Sequence, residues 1–238
     1  PDLNAAILEF QTGGIDVLGP RPEDWAVLLP DQEKGDFTLS DGGPTFGTSF
    51  LSLNWNAKDP LKMKWFTNKA FRKAIAHCVD KETMVDNILL GLGVPQWSPV
   101  SEAAKFFFNP NVIKYEYDLE KAKGLFLEAG FKYEGDVLYD AEGNKVTFSM
   151  TTNAGNTQRE EIGNIIKDDL AKVGIEVIFQ PIQFNDLVTR LTETGEWEAV
   201  IIGLTGGPDP YSGKNVEMSN GGLHFWNYEE NPPEYEWE

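Results

Sequence analysis

Alternating strand and helix patterns over residues 146–202 constrain the fold of this chain more strongly than any other part of its sequence. Residues 146–151 have a strand pattern, and a long helix pattern follows and ends at Gly174. Strand patterns at 175–179 and 197–202 come next, with a second helix pattern between them. Because strands joined by helical crossovers belong to one sheet, we predict an α/β fold with at least three sheet strands.

The rest of the chain carries shorter helix and strand patterns. Apolar residues at helical spacing open it, a short apolar run at 15–18 predicts a strand, and Pro22 begins a second short helix. A mostly apolar strand is predicted at 49–55. The strand patterns at 137–139 and 145–151 flank a polar loop that contains glycine, which predicts a β-hairpin.

The charge balance excludes two classes of partner. The 238 residues include 20 Lys and Arg against 38 Asp and Glu, a net charge of −18. Nucleic acids and anionic membranes are recognised by basic surfaces, so neither is expected as the main partner. No apolar run approaches the roughly 18 residues of a membrane-spanning helix.

Few residues are suited to catalysis or metal binding. The chain has two histidines, His77 and His224, far apart in sequence, and one cysteine, Cys78. Zinc sites need clusters of such residues at short spacing, so we predict no metal site and no cofactor. Carboxylates are abundant, which leaves a hydrolase with a catalytic carboxylate pair as the alternative to a binding protein.

The ends of two predicted strands carry the candidate binding residues. In open α/β sheets, ligands bind beyond the carboxyl ends of the strands. One strand runs into an asparagine-rich turn before a helix whose free N–H groups can accept a ligand oxygen, and the other runs into glycines that permit close approach. A loop tryptophan can stack on a ligand. The predicted contacts are Asn153, Asn156, Gly203, Leu204, Thr205, Gly206, Gly207 and Trp97.

Plainer explanations of the same residues stay open at this point. Asn156 can serve only as the N-cap of the helix that follows it. The glycine turn can be a flexible loop without ligand contact, and Trp97 can belong to the core or its rim.

Several strings resemble a known family. Together, and in this order, they are similar to the recurrent segments of the family 5 extracellular solute-binding proteins, which are the peptide-, nickel- and oligosaccharide-binding subunits of ABC importers. The strings are GGIDV at 13–17, NWN at 54–56, FTNKAFRKAIAHCVDKE at 66–82, GLGVP at 91–95, YDLEKAK at 117–123, EAG at 128–130 and GIEV at 174–177.

The resemblance implies a fold and a domain organisation. Members of this family have the type II periplasmic binding protein fold, in which two α/β lobes close on a ligand, and are about twice as long as this chain. Residues 1–49 would then be a remnant of the first lobe leading into the hinge. Residues 50–227 would form the second, C-terminal lobe, with a mixed sheet flanked by helices, and 228–238 would begin a poorly ordered return segment.

The resemblance also bears on the ligand. Peptide-binding members usually carry a Trp and then an Asp after the strand that matches 197–202, and the Asp pairs with the peptide's amino terminus. Leu204 and Gly206 or Gly207 stand at those places here, and Asp209 is the nearest acid. The implied ligand is an oligosaccharide, or a peptide held mainly through its backbone, with Asp209 as a further contact.

The function implied is that of a binding protein and not an enzyme. It would be the solute-binding subunit of an ABC transporter, monomeric, working with permease subunits and closing two lobes on its ligand. Its location would be periplasmic or extracellular, either free or lipid-anchored to the outer face of the cytoplasmic membrane.

Overall fold

A four-stranded mixed sheet forms the centre of the molecule. The computed structural model describes residues 3–228, and in it the sheet has the order β1-β6-β4-β5, with β1 antiparallel to β6 and the other neighbours parallel. A separate two-stranded sheet pairs β2 with β3. The strands are β1 Thr48–Leu53, β2 Lys132–Glu134, β3 Val137–Tyr139, β4 Thr147–Thr151, β5 Glu176–Phe179 and β6 Ala199–Leu204.

Helices cover the sheet, and some of them precede its first strand in the chain. They are α1 Leu3–Gln11, α2 Pro22–Leu28, α3 Gln32–Gly35, α4 Pro60–Thr67, α5 Lys69–His77, α6 Lys81–Asn87, α7 Leu119–Glu128, α8 Thr157–Ala171, α9 Phe184–Thr189 and α10 Lys214–Glu217. Asparagine or aspartate side chains cap several of them. Asn68, for example, accepts the N–H groups of Ala70 and Phe71 at the start of α5.

Apolar clusters lie on both faces of the sheet, because side chains along a strand alternate in direction. On β6, Ala199 and Ile201 belong to the larger cluster, whereas Val200 and Ile202 belong to the smaller one. Five phenylalanines supply much of the larger cluster, with ring centroids 5.1–6.4 Å apart where they or Trp65 meet: Phe66, Phe71, Phe126, Phe131 and Phe148.

The predicted β-α-β-α-β order is confirmed. It comprises β4, α8, β5, α9 and β6, with the three strands parallel to one another. The strand predicted at 49–55 and the short helix at Pro22 are confirmed as well.

One local prediction was wrong, and another is confirmed only in part. Residues 15–18 form no strand, and Val17 is 85% exposed, since no neighbouring strand in the described part of the chain supplies ladder hydrogen bonds. The expected hairpin is reduced to a single bridge between Tyr139 and Lys145. β3 pairs along its length with β2, and β4 joins the main sheet between β6 and β5.

The proposed division of the chain stays a prediction. Helices α1 to α3 precede the first strand of the sheet, and Phe10 on α1 packs edge-to-face on Phe37 at 5.0 Å between centroids. All but Tyr228 of the predicted return segment 228–238 lies outside the described residues.

Candidate ligand-binding site

The two turns predicted from the sequence lie at one edge of the sheet. β4 and β6 are parallel neighbours, with Met150 opposite Ala199 and Thr151 opposite Val200. Their carboxyl ends therefore face the same way, and the turns that follow them meet at this edge. The strand β6 is longer than predicted, because Gly203 and Leu204 pair with Ser49 and Thr48 as its last residues. We call residues 153–159, from the end of β4 into the first turn of α8, and residues 203–207, from the end of β6 into the turn after it, the rim.

Arg159 connects the two turns of the rim. From the first turn of α8, its Nη1 donates a hydrogen bond to the side-chain oxygen of Asn153 at 2.8 Å. Its Nη2 lies against the Cα of Gly203, where a Cβ would collide with it. The guanidinium group thus occupies the space between the ends of β4 and β6.

Arg159 is a cation without a described anionic partner. Among residues 3–228, no carboxylate oxygen lies within 4.0 Å of it, although the chain as a whole is strongly acidic. Burial lowers the pKa of its guanidinium, but arginine stays protonated at neutral pH in proteins. A half-buried positive charge at the rim can therefore receive a carboxylate or a carbonyl oxygen from a ligand.

Sequence reasoning missed Arg159. The signal was available, since this basic residue stands three positions after the predicted N-cap of the helix that begins at the carboxyl end of a strand. A side chain in the first helical turn at such a place is brought to the edge of the sheet where ligands bind.

Asn156 is the N-cap of α8, as its plainer explanation predicted. Its side-chain oxygen accepts the N–H of Arg159 at 3.0 Å, and the carboxylate of Glu160 accepts the N–H of Gly155 at 2.8 Å. The remaining polar group of each asparagine side chain at the rim, its NH2, is the part that a ligand can use. Ligand contact by Asn153 and Asn156 stays a prediction.

The glycines after β6 are explained by packing within the protein. A Cβ at Gly206 would collide with the carbonyl oxygen of Phe46, and one at Gly207 would lie 2.6 Å from the hydroxyl of Ser212. Together with the close approach of Arg159 to Gly203, these contacts account for the small residues without a ligand. Leu204, the last residue of β6, is partly buried, and Thr205 after it is exposed.

Asp209 and Trp97 lie in other local environments. Oδ1 of Asp209 caps the helical turn that follows it, accepting the N–H of Tyr211 at 2.9 Å. Trp97 packs under the ammonium group of Lys81, which lies 3.9 Å from the ring centroid. Burial lowers the pKa of Lys81. The described contacts connect neither residue directly to Arg159, and their contact with a ligand stays a prediction.

Other kinds of site find no support in the described residues. No three His, Cys, Asp or Glu side chains within 3–228 are placed to hold a metal ion. None of the helices there combines the length and apolar character that crossing a bilayer requires. The carboxyl groups there whose pKa clearly departs from its ordinary value, Asp24, Asp140 and Glu196, all have a lowered pKa, the opposite of what a general acid needs.

Comparison with known proteins decides the family. Residues 1–221 match the family model of the bacterial extracellular solute-binding proteins, family 5, middle region. The chain belongs to this family. The resemblance seen in its sequence is thereby confirmed for nearly its whole length.

Two curated relatives of this family 5 chain are named as binding proteins. It is 31% identical to a probable ABC transporter-binding protein of Deinococcus radiodurans over 95% of the chain and 41% of that protein. It is 30% identical to the oligopeptide-binding protein AppA of Bacillus subtilis over 94% of the chain and 40% of AppA. The chain therefore spans about two-fifths of the length of these relatives.

Solved structures confirm the predicted fold class of this family 5 chain. The structure of AppA in complex with a nonapeptide matches it with a TM-score of 0.79 and 26% identity, over 96% of this chain and 44% of AppA. NikZ of Campylobacter jejuni, at 20% identity, has the same fold over 95% of this chain and 44% of NikZ, with a TM-score of 0.80.

Proposed function

We propose that the chain is part of the solute-binding subunit of an ABC importer and that its rim forms one side of the ligand site. The rim supports this proposal because Arg159 presents a positive charge and Asn153 a free amide NH2 at the edge of the sheet where ligands of such folds bind. Family membership supports the same conclusion.

The charge at the rim favours a peptide over an oligosaccharide as the ligand. A guanidinium group binds carboxylate or carbonyl oxygens, which every peptide offers along its backbone, whereas neutral sugars offer hydroxyl groups. We therefore infer an oligopeptide ligand whose backbone or carboxylate lies on Arg159. An anchor for its amino terminus would come from Asp209 or from residues outside this chain.

Ligand binding would proceed by closure of two lobes, of which the sheet and its helices form one. A ligand held by both lobes favours the closed arrangement by its differential affinity for it. The subunit would be monomeric and act outside the cytoplasmic membrane, free or lipid-anchored, where it delivers its ligand to permease subunits.

Calorimetry with two ligand series tests this function. We would titrate a protein of the relatives' length that carries this chain with peptides of two to nine residues, each with a free or an amidated carboxyl terminus, and with oligosaccharides of matching length. Arg159→Gln should weaken peptide binding at least about tenfold, as expected for the loss of a charge-assisted hydrogen bond. Lys167→Gln, an exposed charge change on the same helix, should leave it unchanged.

Three outcomes would contradict the proposal. Equal effects of the two substitutions would remove Arg159 from the site, and binding of oligosaccharides alone would exclude the peptide. Turnover of a peptide or glycan substrate that is lost on mutation of one carboxylate would favour the hydrolase.

A further inference from the structure

A carboxylate of α2 lies on the first turn of α8, within the rim. Oε1 of Glu23 is 3.5 Å from the hydroxyl of Thr157, and Oε2 is 3.4 Å from the side-chain amide nitrogen of Gln158. These partners are 134 and 135 residues apart in sequence. Thr157 and Gln158 stand between Asn156 and Arg159, so the contact joins α2 to the rim itself.

Glu23 projects from a turn that is well held. Arg21 forms hydrogen bonds to both carboxylate oxygens of Asp24, at 2.8 Å each, and Asp24 is buried at the start of α2. The same guanidinium lies 3.3 Å from Oε1 of Glu23. The Glu23 carboxylate is therefore positioned by its own turn before it meets α8.

The chemistry of the contact is favourable to a negative charge. The first N–H groups of a helix lack intrahelical partners, and the helix dipole places partial positive charge at this end. α8 has 15 residues, and Arg159 and Glu160 of its first turn carry charges of opposite sign, so the positive potential here comes from the helix terminus. Because the Glu23 side chain is 42% exposed, solvent screens the attraction and its strength is moderate.

We propose that Glu23 is a closing contact between the two lobes: its carboxylate holds the helical segment, residues 3–36, against the first turn of α8. This inference rests on the proposed function, in which the segment belongs to the first lobe. A bound ligand and the Glu23 contact then favour the same closed arrangement, so each strengthens the other.

Cross-linking without ligand tests whether α2 lies on the first turn of α8. In Glu23→Cys/Gln158→Cys the two thiols should be joined by a short bis-maleimide about ten times faster than in Glu23→Cys/Lys167→Cys. Position 167 lies nine residues further along α8, which is about 13 Å. The buried thiol of Cys78 does not compete for the reagent. Equal rates in the two pairs would overturn the proposal.

Titration with the tightest-binding member of a nonapeptide library tests the coupling. Glu23→Gln should weaken binding about two- to fivefold, the range expected for a charge at a helix terminus. Glu33→Gln, an exposed change of the same charge on α3, should have no effect. Equal effects would mean that only net charge matters and would overturn the proposal. If no peptide binds, the proposed function fails, and the cross-linking rates alone decide whether the closing contact exists.

Discussion

The indole N–H of Trp65 donates a hydrogen bond to Oδ2 of Asp140 at 3.1 Å, and both side chains are buried. Oδ1 of Asp140 accepts the backbone N–H groups of Glu142 and Asn144, at 3.1 and 2.7 Å. One carboxylate thus ties helix α4 to the loop between β3 and β4, 75 residues away.

Replacing this carboxylate should destabilise the fold. Asp140→Ala leaves the buried indole N–H of Trp65 and the loop amides without an acceptor, so we expect the free energy of unfolding to fall by about 1–3 kcal/mol. Urea denaturation followed by tryptophan fluorescence measures it. Glu142→Ala in the same loop removes only an exposed ion pair with Lys64 and should change stability by less than about 1 kcal/mol. Equal losses of stability in the two variants would show that the hydrogen bonds of the Asp140 carboxylate do not stabilise the fold.

The same carboxylate should make stability depend on acid pH. Burial alone would raise the pKa of Asp140, but the hydrogen bonds from Asn144, Trp65 and Glu142 outweigh it and lower the pKa. A lowered pKa contributes stability above the unfolded value of about 3.9, and this is lost as the pH falls through the folded value. Melting temperatures between pH 6 and pH 2.5 should therefore fall less steeply in Asp140→Asn. Parallel curves would contradict this account.

The thiol of Cys78 should be inert in the folded protein. Burial, with a smaller contribution from the charge of Asp169, raises its pKa to about 12. At pH 8 the thiolate is then on the order of one part in 10⁴, and only the thiolate reacts. Mass spectrometry should detect no iodoacetamide adduct in buffer. In about 6 M urea, which unfolds the protein, Cys78 should be fully labelled. Ser40→Cys, at an exposed position, should be labelled at once in buffer. Rapid native labelling of Cys78 would refute its burial.

Adding a methyl group at Gly203 should displace Arg159. The new Cβ collides with Nη2 of Arg159 and lies 3.0 Å from the hydroxyl of Ser49, so we expect a loss of about 1–3 kcal/mol. Because the guanidinium ends a flexible side chain, it is expected to move and to lose its hydrogen bond to Asn153. The Arg159 side-chain N–H signal in NMR spectra reports this movement.

A matched glycine provides the control. Gly19 has open space where a Cβ would be built, so Gly19→Ala should change neither stability nor the Arg159 signal. If Gly203→Ala also leaves both unchanged, Arg159 does not depend on the absence of a side chain at Gly203.

Local patterns predicted the helical crossovers and several helix ends correctly. The N-cap at Asn156 and the succession from β4 to β6 follow from periodicity and capping over a few residues. The strand expected at 15–18 does not form, because strand formation depends on more than the local pattern. An apolar run indicates that a segment can be extended, but a strand needs a neighbour whose position depends on distant parts of the chain.

The candidate site shows the same division. Spacing alone located Asn153 and the glycines at the ends of two strands, because the carboxyl ends of parallel neighbours share an edge. It did not reveal why Gly203 is a glycine, since the group that excludes a side chain there belongs to Arg159, 44 positions earlier.

Periodicity, capping and glycine placement act over a few residues. The order of elements and the sheet edge that carries the candidate site could therefore be predicted from local sequence. The partner of β3, the guanidinium between two strand ends and the carboxylate of Glu23 on α8 were decided only when the chain closed on itself. Each of these contacts joins segments whose distance apart depends on the packing of the whole core.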